Sequence, residues 1–310
     1  MSTETTFFLT SSALLADFQN TFTIHQQESS CDGWMVYHAN QFDIWYCHTS
    51  SGCRTPSKAG LNSDNFCYAV EENYEKLLDW DGASYRTIWI NRNNTIPATE
   101  FPSHDYELER ISQLEEIHHI GQSPSLSQCL NWWKEWDLPA NVQRHVIKVA
   151  WAAYALAVML RDKGINVNPI LTHRGGLLHD LDKIKTLKLV NSHGNIGASF
   201  LVSQGYPAAA EIVRGHILHT ILDPASDSRP WEVKLVYFCD KLAEGDRIVP
   251  LEERFSALGK RYPEYMKKMS RAKVHVWGLN NEICSILSIP DNDHLVLLLN
   301  TLSQSISLAQ

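Results

Sequence analysis

The sequence lacks the features of a disulfide-stapled, membrane-embedded or nucleic-acid-coating protein. Its seven cysteines (Cys31, Cys47, Cys53, Cys67, Cys129, Cys239 and Cys284) are scattered over 310 residues with no C-x-x-C pair. An odd, dispersed set argues against a disulfide framework and against a structural zinc knuckle. There is no basic block: 27 Lys and Arg face 35 Asp and Glu, for a net charge of -8. Contact with a nucleic-acid polymer is therefore disfavoured, because neutralising its phosphates needs clustered cations. A small anionic substrate needs only a few local ones. The longest apolar run, Val149 to Leu160, falls short of the roughly 20 residues that span a bilayer. It reads as a buried helix, and no membrane contact is expected. No positive charge precedes Thr6-Phe7-Phe8-Leu9, which argues against a signal peptide and for the cytoplasm.

With 44% hydrophobic residues and ten tryptophans, the chain can bury substantial cores, and its length allows two domains. Residues 1–120 read as a small mixed α/β domain. Apolar runs at Thr6–Leu9, Trp34–Tyr37, Ile44–Cys47, Phe66–Val70 and Thr87–Asn91 alternate with Ser, Gly, Asn and Pro clusters, the pattern of strands and turns. Tyr74–Leu78 suggests one helix. The stretch Tyr68–Leu114, with a strand at Thr87–Arg92, prolines at 97 and 102, and a last strand and helix at Asp105–Ile111, resembles the final third of a haloacid-dehalogenase-type domain. That family needs a D-x-D nucleophile motif after an early strand. None stands there, so the resemblance implies a catalytically dead copy.

The polar, Pro-containing stretch Gly121–Ser127 marks a boundary, and residues 126–310 read as a second, helical domain. Asn141 is a plausible N-cap for a helix whose Val142, Val146, Val149, Ala153, Leu156 and Leu160 form an i, i+3/i+4 stripe, with His145 at its edge. A helix over Pro169–Lys183 carries Gly175-Gly176-Leu177-Leu178-His179-Asp180-Leu181-Asp182-Lys183. Helical neighbours point about 100° apart, so His179 and Asp180 can grip one metal from adjacent directions, with Lys183 on the same face as His179. Asn191 or Ser192 caps a third helix with His193 in its first turn. Pro207–Thr220 makes a fourth with His216 at its centre, and Pro230 opens a fifth ending near Asp240. Residues 250–305 add three amphipathic stretches. A lone carboxylate among apolar positions, as Asp240 is, costs several kcal/mol unless a cation compensates it. A lone inward histidine is usually a satisfied core residue, but His145, His216 and Asp240 turned inward from three helices are harder to dismiss that way.

The order His145 … His179-Asp180 … Asp240, over roughly residues 126–250, resembles the HD-domain superfamily of metal-dependent phosphohydrolases. His193-Gly194 with Gly197-Ala198 resembles its third histidine, and Ile212-Val213-Arg214-Gly215-His216 its fourth. Within that superfamily the pattern resembles the bacterial HD enzymes that cleave diadenosine tetraphosphate symmetrically, with one departure, Val213 before Arg214. The resemblance implies an all-α HD-domain helical bundle preceded by the smaller mixed α/β domain. It also implies a metal set of His145, His179, Asp180, His193, His216 and Asp240, with Asp180 bridging. Lys183 and Asp180 would be catalytic, and Lys183, Arg214, His219 and Arg247 would bind substrate, with His219 placed to protonate a leaving oxygen. His173 is expected to point elsewhere. Four imidazoles and two carboxylates suit one or two divalent transition-metal ions, Fe or Mn foremost and Zn, Co or Ni as alternatives, better than Mg²⁺. The expected reaction is hydrolysis of a phosphoester or phosphoanhydride in a nucleotide, a dinucleoside polyphosphate being the sharpest candidate. The alternatives are an HD-type di-iron oxygenase and a non-catalytic nucleotide sensor. A homodimer is compatible with all three.

Overall fold

The computed structural model describes residues 5–29, 34–39, 42–47, 66–78, 80, 85–117, 123–186 and 193–309. They divide into two compact units, Met1–Thr95 with Ser103–Ile120, and Ile96–Pro102 with Gly121–Gln310. Among the described residues no helix is long and apolar enough to cross a membrane.

The first unit is a seven-stranded mixed sheet built from β1 (Thr5–Leu9), β2 (Ile24–Ser29), β3 (Trp34–Ala39), β4 (Phe42–Cys47), β5 (Phe66–Glu71), β6 (Arg86–Ile90) and β7 (Tyr106–Leu108), in the order β2-β3-β4-β1-β5-β6-β7. Parallel pairing joins β4 to β1 and runs on through β5, β6 and β7, whereas β2 and β3 add antiparallel. Central β1 is apolar on both faces: Phe7 and Leu9 pack with Phe18, Tyr68 and Ile88, and Phe8 with Trp34, Trp80 and Tyr85. Parallel strands covered on both faces read as continuous apolar runs, which is why Thr6–Leu9 is legible. Strand β2, Ile-His-Gln-Gln-Glu-Ser, has no such run because it sits at the sheet edge. Helix α1 (Ser12–Thr21), capped by the Ser11 hydroxyl, also goes unread in the sequence, unlike α2 (Tyr74–Leu78). Cys47 is disulfide-bonded. Cys129, Cys239 and Cys284 are free and buried, and Cys67 is buried.

The second unit is helical: α3 (Leu126–Glu135), α4 (Ala140–Asp162), α5 (Pro169–Leu178), α6 (Lys183–Thr186), α7 (Asn195–Ser203), α8 (Pro207–Gly215) and α9 (Trp231–Asp240). A short hairpin, β8 (Ala243–Glu244) with β9 (Arg247–Ile248), leads to α10 (Leu251–Arg261), α11 (Met266–Leu287) and α12 (Asn292–Ala309). Helix α4 is buried all round from Val149 to Val158. Helix α5 can lie against it because residue 176 is glycine: a Cβ there would meet the Ala150 Cα at 2.5 Å. The segment Ile96–Pro102, assigned from the sequence to the first domain, belongs to this unit. Ile96 packs on Tyr154, Val158 and Ile170, Glu100 pairs with Lys148, and the Pro102 carbonyl accepts from Arg174 Nη2.

Several helix limits differ from expectation, and each bears on the site. Helix α4 is entered at Pro139 and already includes Asn141. Helix α5 stops at Leu178, so His179 is its C-cap and Asp180 lies in the following turn. Helix α8 stops at Gly215, with His216 as its C-cap. His193 precedes α7, whose N-cap is Gly194 at φ +78°, a left-handed conformation that glycine adopts without steric cost. The cap expected at Asn191 or Ser192 and the pair His118-His119 lie outside the described residues.

Candidate metal centre

The sequence that folds into α4, α5, α8 and α9 brings one group from each to a common point. His145 comes from the second turn of α4, His179 and His216 from the ends of α5 and α8, and Asp240 from the last residue of α9. Asp180 and His193 complete the set from the turns before α6 and α7. Two triads result, His145/His179/Asp240 and Asp180/His193/His216, each with its donor atoms within 4.8 Å of one another. Asp180 joins them. Its Oδ2 lies 3.7 Å from His179 Nε2 and 3.9 Å from His145 Nε2, while its Oδ1 lies 3.1 Å from His193 Nε2 and 3.6 Å from His216 Nε2. His145 Nε2 is 3.0 Å from Asp240 Oδ1, and His193 and His216 bring their Nε2 atoms to 3.2 Å.

Each imidazole is held by its other nitrogen. His179 Nδ1 donates to the Gly176 carbonyl at 2.7 Å, His216 Nδ1 to that of Val213 at 2.6 Å, and His145 Nδ1 to that of Gly245 at 3.1 Å. A carbonyl oxygen accepts only, so Nδ1 must carry the proton and the neutral ring keeps its Nε2 lone pair inward. His193 Nδ1 donates to Asp182 Oδ1 at 2.8 Å. This is how metal-binding imidazoles are oriented by their surroundings. His179 Nε2 is buried with no hydrogen-bond partner. Such an orphaned acceptor costs about 1–3 kcal/mol unless a cation sits on it, so the donor set fits a divalent metal.

The charge states fit as well. Burial lowers His179 to about 3, so it is neutral at physiological pH. Burial alone would raise Asp180, yet Lys183 and the imidazoles around it hold it well below the usual carboxylate range. Lys241 and His145 do the same for Asp240 against burial. Burial would lower His193, but hydrogen bonds to Asp180 and Asp182 carry it up to about 9. A proton and a metal ion compete for that nitrogen, so metal uptake releases a proton.

The cluster opens into a cavity of about 710 Å³ lined by Lys183, Arg214 and His219 as well as Asp180 and Asp240. Lys183 reaches Asp180, its neighbour by three positions, rather than rising above His179. His219 is exposed at the rim, and partial burial and the charge of Lys268 lower its pKa. Arg247 is not among the residues lining this cavity; it is exposed on β9, 3.3 Å from Glu253. Beyond the hairpin turn at Gly245 (φ +64°), whose carbonyl holds His145, the chain carries Arg247 to Glu253 instead. His173, as expected, faces elsewhere, with Nε2 3.0 Å from the Glu100 carbonyl. Sequence reasoning missed Asp182, which is wholly buried. It accepts from His193 and from the backbone N–H groups of Gly194 and Gly197 at 3.0 and 2.7 Å. A second carboxylate two residues after Asp180 in an apolar run was the available signal. Buried Lys241, bonded to Asp240 and at 3.1 Å to the His216 carbonyl, carries no such mark.

Comparisons with known proteins agree with this geometry. The HD-domain family matches residues 142–245. An uncharacterized protein of Methanocaldococcus jannaschii is 30% identical over 158 residues, which is 47% of this chain and 90% of that protein. No solved structure matches. The chain belongs to the HD-domain family of metal-dependent phosphohydrolases.

Proposed function

We propose that the chain hydrolyses a phosphoanhydride or phosphoester bond of a nucleotide, with a dinucleoside polyphosphate as the sharpest candidate, using one or two divalent transition-metal ions, Fe or Mn foremost. The observation that carries this is Asp180, which turns one carboxylate oxygen to each triad, as a carboxylate shared by two ions would. His145, His179 and Asp240 would hold one ion, His193 and His216 the other, with Asp180 between them. Bound there, such ions supply Lewis acidity that lowers the pKa of a water and offsets charge on phosphoryl oxygens.

The chain's own groups do the rest. Lys183 keeps Asp180 ionised and faces the cavity, where its ammonium can meet phosphoryl oxygens as their charge grows. Lys241 anchors the Asp240 carboxylate from behind. Arg214 faces the same cavity from the end of α8. A water oxygen bonds to phosphorus as the bond to the leaving oxygen breaks; the proton lost by the water passes to that oxygen when it leaves as an alkoxide, or to solvent when it leaves as phosphate.

Elemental analysis after expression in metal-supplemented medium should find Fe or Mn at up to two per chain, lost in His179→Ala and Asp240→Ala. Phosphate release from a nucleotide panel should appear with metal and vanish in those variants. O₂ consumption by the reduced protein without phosphate release would replace hydrolysis with oxygenation. Bound nucleotide without either would make the chain a sensor.

A further inference from the structure

More than a third of the residues lining the cavity come from outside the matched family region. Arg254, Leu258, Arg261, Tyr262, Tyr265 and Lys268, all from α10, the turn after it and the start of α11, line it. Tyr262 and Tyr265 are 41% and 50% exposed, unusual for two large rings that burial elsewhere in this unit would reward. Their centroids stand 6.5 Å apart at 61°, with Leu258 and Met269 beside them in the lining. Aromatic faces left open next to charged groups are the surface on which nucleobases stack, at about 1–3 kcal/mol per base. Tyr262 lines the same cavity as Lys183, Asp180 and Asp240, so this apolar wall adjoins the metal cluster.

The cations of the wall fall into two classes. Arg254 and Arg261 are engaged by Glu244, and Lys183 and Lys241 by Asp180 and Asp240. Among the described residues, neither Arg214 nor Lys268 has a carboxylate partner, and both face the cavity. Two uncompensated cations beyond those serving the metal cluster call for anionic groups beyond the one being cleaved.

We infer that the α10–α11 hairpin is the substrate-selecting wall, with Tyr262 and Tyr265 stacking a nucleobase and Arg214 and Lys268 holding a second phosphate. The preferred ligand class is thus a nucleoside di- or polyphosphate, over both a nucleoside monophosphate and a base-free polyphosphate. This rests on the phosphohydrolase reading of the same site, but a binding measurement separates the two.

The test is calorimetric titration of the full-length metal-loaded chain with ADP, AMP and tripolyphosphate. ADP should bind at least tenfold more tightly than AMP. The double variant Tyr262→Ala/Tyr265→Ala should weaken ADP roughly tenfold and leave tripolyphosphate within twofold. Arg214→Gln/Lys268→Gln should weaken ADP and tripolyphosphate alike. Tyr262→Phe/Tyr265→Phe, which keeps the rings, should restore ADP binding and guards against a folding artefact. ADP affinity that is absent, equal to that of AMP, or unchanged in the alanine variant overturns the inference. Loss of turnover with these binding differences intact would count against hydrolysis alone.

Discussion

Asp182 provides the sharpest quantitative test, because it touches no ion in the proposed site and yet fixes one of its ligands. Its two oxygens accept three N–H groups, from His193, Gly194 and Gly197, in a place with no solvent access. In Asp182→Asn one oxygen becomes an NH₂. Whichever way the amide turns, at least one N–H meets a donor instead of an acceptor. The loss of one hydrogen bond to a charged group is about 1.5–3 kcal/mol. Removing a partner that orients a metal ligand costs about 10–100-fold in affinity, or about 1.4–2.7 kcal/mol. The two estimates coincide, so most of the lost bond energy should reappear as weaker Mn²⁺ binding in the Asp180/His193/His216 triad. The His145/His179/Asp240 triad, on the other side of Asp180, should keep its affinity within about twofold. Calorimetric titration with Mn²⁺, with the melting temperature followed in parallel, reads both. A folded variant with both affinities unchanged refutes the reasoning, as does one with both equally lost.

Three further outcomes follow from geometry. Gly176→Ala drives a methyl group into the α4 backbone and should cost about 1–3 kcal/mol and weaken metal binding by displacing His179; Gly278→Ala, with open space around it, should stabilise by about 0.5–1 kcal/mol, both read by denaturant melts. Lys183→Gln should lower kcat by on the order of 10² in a nucleotide phosphate-release assay, whereas Arg247→Gln, outside the cavity, should leave kcat and KM unchanged. Burial raises the pKa of Glu232, whose carboxylate accepts the Asn168 N–H at 2.7 Å. The fold therefore favours its neutral form, and its penalty grows as pH rises above the unfolded value of 4.5. Glu232→Gln should raise the melting temperature near pH 7, and that gain should vanish at about pH 4; a gain independent of pH would contradict the sign.

The helices and the residues they bring together are legible in the sequence because apolar periodicity reports burial, and polar groups inside a buried stripe demand partners. His145 on the α4 stripe and Asp240 at the end of α9 are found this way. Helix ends are harder to read. His179 and His216 terminate their own helices by bonding back to Gly176 and Val213, and neither leaves the following glycine or proline that usually marks a stop. Arg247, seven residues after Asp240, stands beyond the turn at Gly245 and outside the cavity lining, a separation that spacing alone does not reveal. The α10–α11 wall carries no motif, since only the folded helices bring Tyr262 and Lys268 to the cavity. Strand β2 is hidden by its polar edge position.

The placement of His179, His216 and Asp240 at the ends of α5, α8 and α9 carries a consequence of its own. A helix presents partial negative charge at its C-terminus, worth about 0.3–1 kcal/mol to a nearby cation, and here three such termini point at one spot. The backbone by itself thus makes a shallow electrostatic well for positive ions, independent of which side chains line it. Variants stripped of a single ligand should therefore retain weak, poorly selective cation uptake, and metal selectivity can drift by ligand exchange while the attraction that loads the site persists.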